Sequence, residues 1–223
     1  NARYFDETRR RARELEMVTT ISTALRAATS RSEIPPIVLE QLTSQLNVES
    51  AALIWIDNST KQMIIEQASG AWKHLQGIEL SSQDATKNHM IIPTGTLIEN
   101  NVAASITIPS LAKQNLKAMA SAAMIVEGKT TGNLWIGRTE PISEEDAKLL
   151  AVTAEITAIA MHRTALNEQT RRRLAHITAL QNIDQFITSS FDLRQTLEYL
   201  VTQVKSQLDV DAVDILISHP NNQ

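Results

Sequence analysis

The chain has 223 residues, a formal net charge of -4 and no cysteine. This length accommodates one domain and part of another, and an apolar content of 43% is enough for a core. The net negative charge and the low aromatic content of 4% give no indication of nucleic-acid binding. The lack of cysteine excludes disulfides, zinc–thiolate sites, a thiol nucleophile and thioether attachment of a chromophore.

No apolar run approaches the roughly 20 residues that a helix needs to cross a bilayer. The start of the chain does not have the pattern of a signal peptide. We therefore expect no membrane span in this segment and a cytoplasmic location.

The first half of the chain predicts two helices followed by a strand hairpin. Apolar residues at helical spacing indicate one helix over residues 3–29 and a second over 32–46. Two prolines fall in the first turn of the second helix, where a missing N–H costs little. The apolar run 50–56 has strand length, and residues 61–68 follow it as a hairpin partner.

The middle of the chain, residues 69–120, is punctuated by glycine and proline, and it predicts only short elements. Residues 110–120 are expected to form a short helix with its apolar side inward. Strand-like pieces are expected at 77–80, 89–92, 96–98 and 105–108.

A strand hairpin is predicted directly after this region. Residues 121–127 and 131–138 are two strand-forming runs that flank the turn signal Gly128-Lys129. Gly132 and Gly137 lie within the second run, where glycine indicates a bulge or the close approach of a neighbour.

The longest predicted element is one helix over residues 143–190, in which no glycine or proline occurs. Ser143 is a good N-cap, and Asp146 stands at the position of a capping-box partner. Such a helix would be roughly 70 Å long, too long to pack on one small domain. Apolar residues follow one heptad frame, which we call the seam: Leu149, Val152, Ile156, Ile159, Leu166, Ile177, Leu180 and Ile187.

The seam predicts that this helix pairs with a second copy of itself, giving a homodimer. The remaining four positions of the same frame are polar: Arg163, Thr170, Arg173 and Asp184. Polar side chains at these positions would weaken the pairing, so that the two paired helices would shift easily against each other. We therefore expect Arg163, Thr170 and Arg173 to belong to a signal-relay helix.

The opening of the chain is repeated at a fixed offset of 162 residues. The run Arg9-Arg10-Arg11 corresponds to Arg171-Arg172-Arg173, and residues 44–49 correspond to 206–211. The repeat divides the chain into a first domain at 1–165 and a truncated start of a second at 171–223. The connecting helix 143–190 overlaps both. The single strand predicted at 212–217 would have to pair with a partner chain or remain poorly ordered.

Three stretches resemble the GAF domain family. Residues 46–53, Leu-Asn-Val-Glu-Ser-Ala-Ala-Leu, resemble the family's entry into its first strand. Residues 122–137, with the step Gly132-Asn133-Leu134, are similar to its final hairpin. Residues 142–150, Ile-Ser-Glu-Glu-Asp-Ala-Lys-Leu-Leu, are similar to the start of its closing helix. The resemblance covers about 1–165, and 171–217 looks like the start of a second copy.

The resemblance implies an α/β (α+β) fold: a GAF/PAS-like central antiparallel sheet with flanking helices and a long C-terminal connecting helix. It also implies a non-enzymatic sensory or regulatory module of a multidomain bacterial signalling protein. Tandem GAF domains joined by long helices are typical of sensor histidine kinases, diguanylate cyclases and phosphodiesterases. We expect the histidine kinase of a two-component system as the output, and a ligand-free dimerisation or spacer module is the alternative.

The cofactor is left unknown by the sequence. The Asn-Lys…Phe…Asp-Glu pattern of cyclic-nucleotide-binding GAF domains is not found, and the bilin-binding and sulfoxide-reducing subfamilies rely on cysteine. The resemblance places a small-molecule pocket between the sheet and the variable middle, and no metal is expected. Trp135 has core packing as its alternative role. The candidate ligand-binding residues are Trp72, His74, His89, Thr94, Thr96 and Trp135.

Overall fold

The fold is taken from a computed structural model, which describes residues 2–57, 60, 62–80, 92–102, 116–189, 193–208 and 210–216. The predicted pieces at 89–91 and 105–108 lie outside these residues. The chain divides into two compact units, Asn1–Leu166 and Asn167–Gln223. Each unit is considered by itself.

The first unit begins with two helices, as predicted. Helix α1 spans Ala2–Ala27, and α2 spans Ile34–Leu46. A short 3-10 helix, Arg31–Glu33, precedes α2, whose first turn contains the two prolines. Asn47 ends α2 in the left-handed conformation at φ 48°, a role that asparagine fills more easily than most residues.

The described residues next form six strands: β1 Ser50–Ile56, β2 Met63–Ala68, β3 Glu79–Leu80, β4 Thr96–Glu99, β5 Ala118–Val126 and β6 Lys129–Arg138. They make one antiparallel sheet in the order β3-β2-β1-β6-β5-β4. A second 3-10 helix, Gly70–Leu75, lies between β2 and β3.

The predicted helix at 110–120 is wrong for residues 116–120, which are the part of it that the structure describes. Ala118, Met119 and Ala120 belong to β5, paired with β4 on one side and β6 on the other. Alanine and methionine favour helices in isolation, but two flanking strands satisfy this backbone as a sheet ladder.

The sheet buries two different faces because side chains alternate along each strand. One face packs against the helices through Leu53, Ala122 and Leu134, which share a cluster with α1, α2 and the last helix of this unit. The opposite face carries a second cluster built around Ala52, Met119 and Trp135. We call this second side the distal face, since it lies away from the helices.

Helix α3 spans Glu144–Ser189, close to the predicted bounds, and crosses from the first unit into the second. Within the first unit one side of α3 is buried on the sheet and helices, including Leu150, Ala154 and Met161. The seam is divided: Leu149 and Ile156 pack in this core, whereas Ile159 and Leu166 are 56% and 48% exposed. From Ile159 onward the helix therefore has apolar side chains that its own domain does not cover.

The start of α3 is held by the predicted capping box. Ser143 Oγ accepts from the backbone N–H of Asp146 at 3.1 Å, and Asp146 Oδ2 accepts from the N–H of Ser143 at 3.3 Å. Replacing Ser143 by alanine is expected to cost about 1 kcal/mol of unfolding free energy, because one end-of-helix N–H loses its acceptor. Urea unfolding measures this loss, and Ser143→Thr should recover most of it; equal losses in the two variants would contradict the cap.

Helix α3 is also the place where composition alone suggests a membrane span. The segment Glu144–Ile183 contains a window with a mean hydropathy of 1.2, and half of that window is buried inside the protein. A core helix of a soluble domain has the same property.

The second unit contains the end of α3 and helix α4, Leu193–Leu208. The ends of α3 and α4 each lie 162 positions after the ends of α1 and α2, the offset of the sequence repeat. Residues 212–216 are not in a strand, and position 217 lies outside the described residues. The domain boundaries proposed from the repeat stay a prediction.

Candidate functional site

The distal face is organised by the 3-10 helix Gly70–Leu75, which is fixed tightly to the start of β1. The backbone N–H of Ala71 donates to Ser50 Oγ at 3.0 Å. Gly70 has φ +62°, and a Cβ at this position would overlap the carbonyl oxygen of Glu49. Only glycine combines this conformation with so close an approach. The result is a rigid turn that directs Trp72 inward.

The ring of Trp72 packs against a second glycine, Gly137. A Cβ at Gly137 would lie 2.7 Å from Cζ2 of Trp72, so the absence of a side chain on β6 makes room for the indole. Trp72 meets Trp135 edge to face, with ring centroids 5.9 Å apart and ring planes 75° apart. This geometry is favourable for aromatic pairs, and both residues are buried.

Two polar atoms on the distal face are buried without a hydrogen-bond partner in the described part of the chain. They are Nε1 of Trp72 and Oγ of Ser121. Trp72 is 2% exposed and Ser121 is 1% exposed. Buried polar groups are almost always hydrogen-bonded, so each of these atoms requires an explanation.

A third polar side chain on this face is satisfied. Asn133 is fully buried, and its amide lies 3.3 Å from the backbone of Ile92. This contact attaches the segment before β4 to the central strand β6. The side chain of Asn133 therefore has a structural hydrogen bond, which Trp72 Nε1 and Ser121 Oγ lack in the described part of the chain.

The predicted site residues fall into different places. Trp72 and Trp135 are brought together, as described. His74 is exposed, and its Nδ1 is 2.9 Å from the carbonyl oxygen of Ala71 within the same 3-10 helix. Thr94 is exposed, and His89 lies outside the described residues.

Thr96 lies on the other side of the sheet from Trp135. It pairs with Ala122, which packs towards the helices, whereas Trp135 pairs with Ser121. Neighbouring positions on a strand point to opposite faces, so Thr96 and Trp135 cannot line the same pocket. Its neighbour Leu97 shares the distal face with Ser121. The ligand-binding roles themselves stay predictions.

Ser121 was missed by sequence reasoning. In the structure it is opposite Trp135, and directly opposed residues of an antiparallel pair share a face. The predicted hairpin had no assigned register, and the observed pairing includes a register shift between Met124 and Ile125 that no local pattern indicates.

The predicted relay residues are placed on the exposed part of α3. Nη2 of Arg163 donates to the carbonyl oxygen of Leu25 at 3.2 Å, near the C-terminus of α1. A cation is favourable there, because the last carbonyls of a helix carry partial negative charge. Arg163 thus connects α3 to α1 within the first unit. Thr170 and Arg173 are exposed in the second unit.

No protein-family model and no curated protein match the chain. Solved structures do match its fold. The GAF domain of a phosphoenolpyruvate-protein phosphotransferase from Coxiella burnetii is 12% identical, with a TM-score of 0.60 over 71% of this chain and 98% of that one. The corresponding domain from Acinetobacter is 11% identical, with a TM-score of 0.58 over 70% of this chain and 97% of that one.

The chain also resembles larger photosensory proteins. The phytochrome photosensory core module of Stigmatella aurantiaca is 10% identical, with a TM-score of 0.62 over 88% of this chain and 45% of that one. A bacteriophytochrome from R. palustris is 9% identical, with a TM-score of 0.66 over 86% of this chain and 45% of that one. The sheet of residues 50–138 and the helices that flank it therefore have the fold of a GAF domain.

Proposed function

We propose that the chain is a sensory module which binds a small ligand on the distal face and transmits its occupancy through α3 in a homodimer. The single observation that carries this proposal is that α3 is buried on one side and exposes apolar side chains on another. One side is buried in the domain, and the seam positions Ile159 and Leu166 are about half exposed. One side of such a helix packs on its own sensor domain, and the other side can pack on a partner. A conformational change of the domain can therefore be transmitted through the helix to that partner.

The partner that fits the seam is a second copy of the same chain. Leu, Ile and Val at heptad spacing are the pattern of a coiled-coil interface, and a two-fold dimer uses the same surface of both subunits. Arg163, which lies between the two exposed apolar residues, is already held by α1. It therefore connects the seam to the domain.

The output is proposed to be a histidine kinase domain in a cytoplasmic bacterial signalling protein, joined to this chain through its long helix. The likeness to phytochrome photosensory cores supports a sensory role, since there a fold of this kind belongs to a light-sensing module. A diguanylate cyclase or phosphodiesterase output would use the same helix. A spacer module would keep the dimer but bind no ligand.

The dimer is tested by replacing Leu166 with aspartate. In a two-fold dimer the change occurs twice, and it places two carboxylates where two leucines would be buried. We expect the association constant to fall about 100-fold, equivalent to about 2.7 kcal/mol. Sedimentation equilibrium over a range of concentrations measures it.

Ala165→Asp is the matched control, because residue 165 is exposed on the same turn but lies off the seam. It adds the same charge and should leave association within a factor of about 3, as exposed substitutions away from an interface do. A wild-type chain that stays monomeric, or equal effects of the two substitutions, would refute the dimeric relay.

A further inference from the structure

We infer that the partner of the seam is a second copy of the chain lying parallel to the first and in register with it, so that each seam residue faces its own counterpart. The inference rests on the proposed function and deepens it by naming how the two copies are arranged. Its starting point is the part of α3 within the second unit. Residues 171–178 are exposed at every position, and Leu174 and Ile177 among them are 58% and 50% exposed.

This stretch of α3 is covered on no side by the described residues of its own chain. Its exposed positions span more than two turns, so every side of the helix faces solvent there. A helix segment alone in water is only marginally stable, and exposure of large apolar side chains adds to the cost. A second helix alongside would bury Ile177 and also Leu180, which is 53% exposed. The occupant of the seam is therefore a helix with the same heptad repeat.

A parallel pair in register opposes like residues in successive layers of the seam. The exposed apolar positions then each meet an apolar side chain of the same kind: Ile159, Leu166, Ile177 and Leu180. The polar positions are confined to layers of their own. An arginine in such a layer can extend its long side chain out to solvent, so the result is a weaker layer rather than a buried charge.

One of these polar layers is also relieved by the first unit itself. Nη2 of Arg163 donates to the carbonyl oxygen of Leu25 at 3.2 Å, close to the C-terminus of α1. The guanidinium is therefore held towards its own domain, and the two copies of it are drawn apart from each other. The layers that stay polar in this part of the helix are those of Thr170 and Arg173, the predicted relay residues.

An antiparallel pair would match the same seam poorly. A register that opposes Leu166 to Ile177 also opposes Arg163 to Leu180. Sliding the helices by one step in either direction opposes Arg173 either to Ile177 or to Arg163. Each of these registers places a cation against an apolar side chain or against a second cation, which costs free energy.

A further slide would improve the charges but lose apolar contact. It opposes Ile177 to Leu180 and Arg173 to Asp184, which is an opposite-charge pair. Leu166 would then face a position beyond the end of α3. The exposed seam residues of the first unit would thus have no partner helix. Of these arrangements, the parallel one alone covers every exposed seam residue with an apolar partner.

Cysteine crosslinking tests the arrangement directly, because the chain contains no cysteine of its own. In a parallel pair in register, the Cα atoms of two like seam residues lie within disulfide reach, about 6 Å. Under mild oxidation with copper phenanthroline, we expect Leu166→Cys and Ile177→Cys each to give a covalent dimer from one kind of chain. Ala165→Cys and Thr178→Cys are the matched controls, since both positions are exposed and lie off the seam. They should crosslink at least about 10-fold more slowly, because their Cβ atoms point away from the partner.

A mixture of Leu166→Cys and Ile177→Cys chains separates the two orientations. In the parallel pair the two different cysteines lie about 16 Å apart along the helix axis, so no mixed crosslink should form. Peptide mass analysis identifies such a crosslink. Mixed crosslinks, with none in either variant alone, would establish an antiparallel order and overturn the inference.

A second measurement does not depend on the geometry of cysteine. Arg173→Glu places two carboxylates in one layer of its own parallel dimer, but it meets an arginine in a mixed dimer with the wild-type chain. Native mass spectrometry of an equal mixture should show mixed dimers favoured over random pairing by about 3-fold. In an antiparallel pair position 173 does not face itself, so random proportions would also overturn the parallel arrangement.

These failures are distinguishable from failure of the proposed function. A chain that stays monomeric in sedimentation equilibrium removes the dimer, and this arrangement with it. A dimer that weakens with Leu166→Asp but crosslinks only in the mixture would retain the dimeric relay and reject the parallel order.

Discussion

Replacing Gly70 by alanine is expected to destabilise the first unit by about 4 kcal/mol or more, which is exceptional for a single methyl group. The added Cβ would overlap the backbone carbonyl of Glu49 and would lie 2.9 Å from Ser50 Oγ. Backbone cannot move aside as the end of a flexible side chain can. The turn would have to move away from β1, and Trp72 would lose its packing against Gly137.

The measurement is urea unfolding followed by tryptophan fluorescence. All three tryptophans of the chain lie between residues 55 and 135, so the signal reports on the first unit. The near-ultraviolet circular dichroism of the Trp72–Trp135 pair should also be lost in the variant under conditions where the far-ultraviolet spectrum is kept. That result would separate displacement of the indole from global unfolding.

Gly77→Ala is the matched control for this prediction. Gly77 also has a positive φ, +81°, but nothing lies within 4 Å of the position of its Cβ. The cost there is the backbone strain alone, about 1 kcal/mol. Equal losses in the two variants would show that positive φ accounts for the whole effect and that the contact with Glu49 is relaxed in solution.

The parts of the fold with strong local signals could be predicted from the sequence. The helix after Ser143 has a capping box and no breaker, and its bounds agree to within a residue at each end. The hairpin before it has a glycine turn between two runs of strand-forming residues, and it forms, with Val126 paired to Lys129 and the turn at Glu127-Gly128, one residue earlier than predicted. In these places local propensity and tertiary context favour the same structure.

The beginning of β5 could not be predicted because its local preference contradicts its environment. The run Ala118-Met119-Ala120 is composed of helix formers, and pairing with β4 and β6 decides its conformation. Such pairing involves residues about 20 positions away, which a local pattern does not contain.

The candidate site was predictable only in part. Trp72 was named because it lies in the variable middle of the chain, and Trp135 because successive residues of a strand point to opposite faces of a sheet. The structure places the two side chains in contact, and their ligand-binding roles stay predictions. Thr96 was included because it is close in sequence to the pocket segment, but an error of one residue along a strand moves a side chain to the opposite face. The register of β4 against β5 decides on which face of the sheet Thr96 lies. Register depends on strand pairing rather than on composition.

Replacing Arg138 by methionine is expected to cost about 3 kcal/mol, because it separates the end of the sheet from the start of α3. The guanidinium pairs with Asp146 Oδ2 at 2.7 Å, donates to the carbonyl oxygen of Leu46 at 3.4 Å, and also donates to that of Pro141. The two charged side chains are only 15% and 13% exposed. Methionine would leave the carboxylate of Asp146 largely buried without its cation.

A double-mutant cycle with Asp146→Asn isolates the ion pair, and each variant is measured by urea unfolding. If the two groups act on each other, the loss in the double variant should be about 1–2 kcal/mol smaller than the sum of the single losses. Glu66→Gln is the comparison. It removes the carboxylate of a pair with Arg31 at 2.8 Å that is 31% and 27% exposed, so solvent screening should keep its cost below about 1 kcal/mol.

The position of Arg138 makes this prediction relevant to signalling as well as to stability. One side chain joins the C-terminal end of α2, the end of β6 and the capping box of α3. A shift of β6, on which Trp135 lies, would therefore reach α3 through the same ion pair. If that pair transmits occupancy, Arg138→Met should leave ligand binding on the distal face intact but abolish any ligand-dependent change in dimer association. Persistence of that change in a folded Arg138→Met variant would assign the coupling to another contact, such as the hydrogen bonds between Asn100 and the backbone of Ile142.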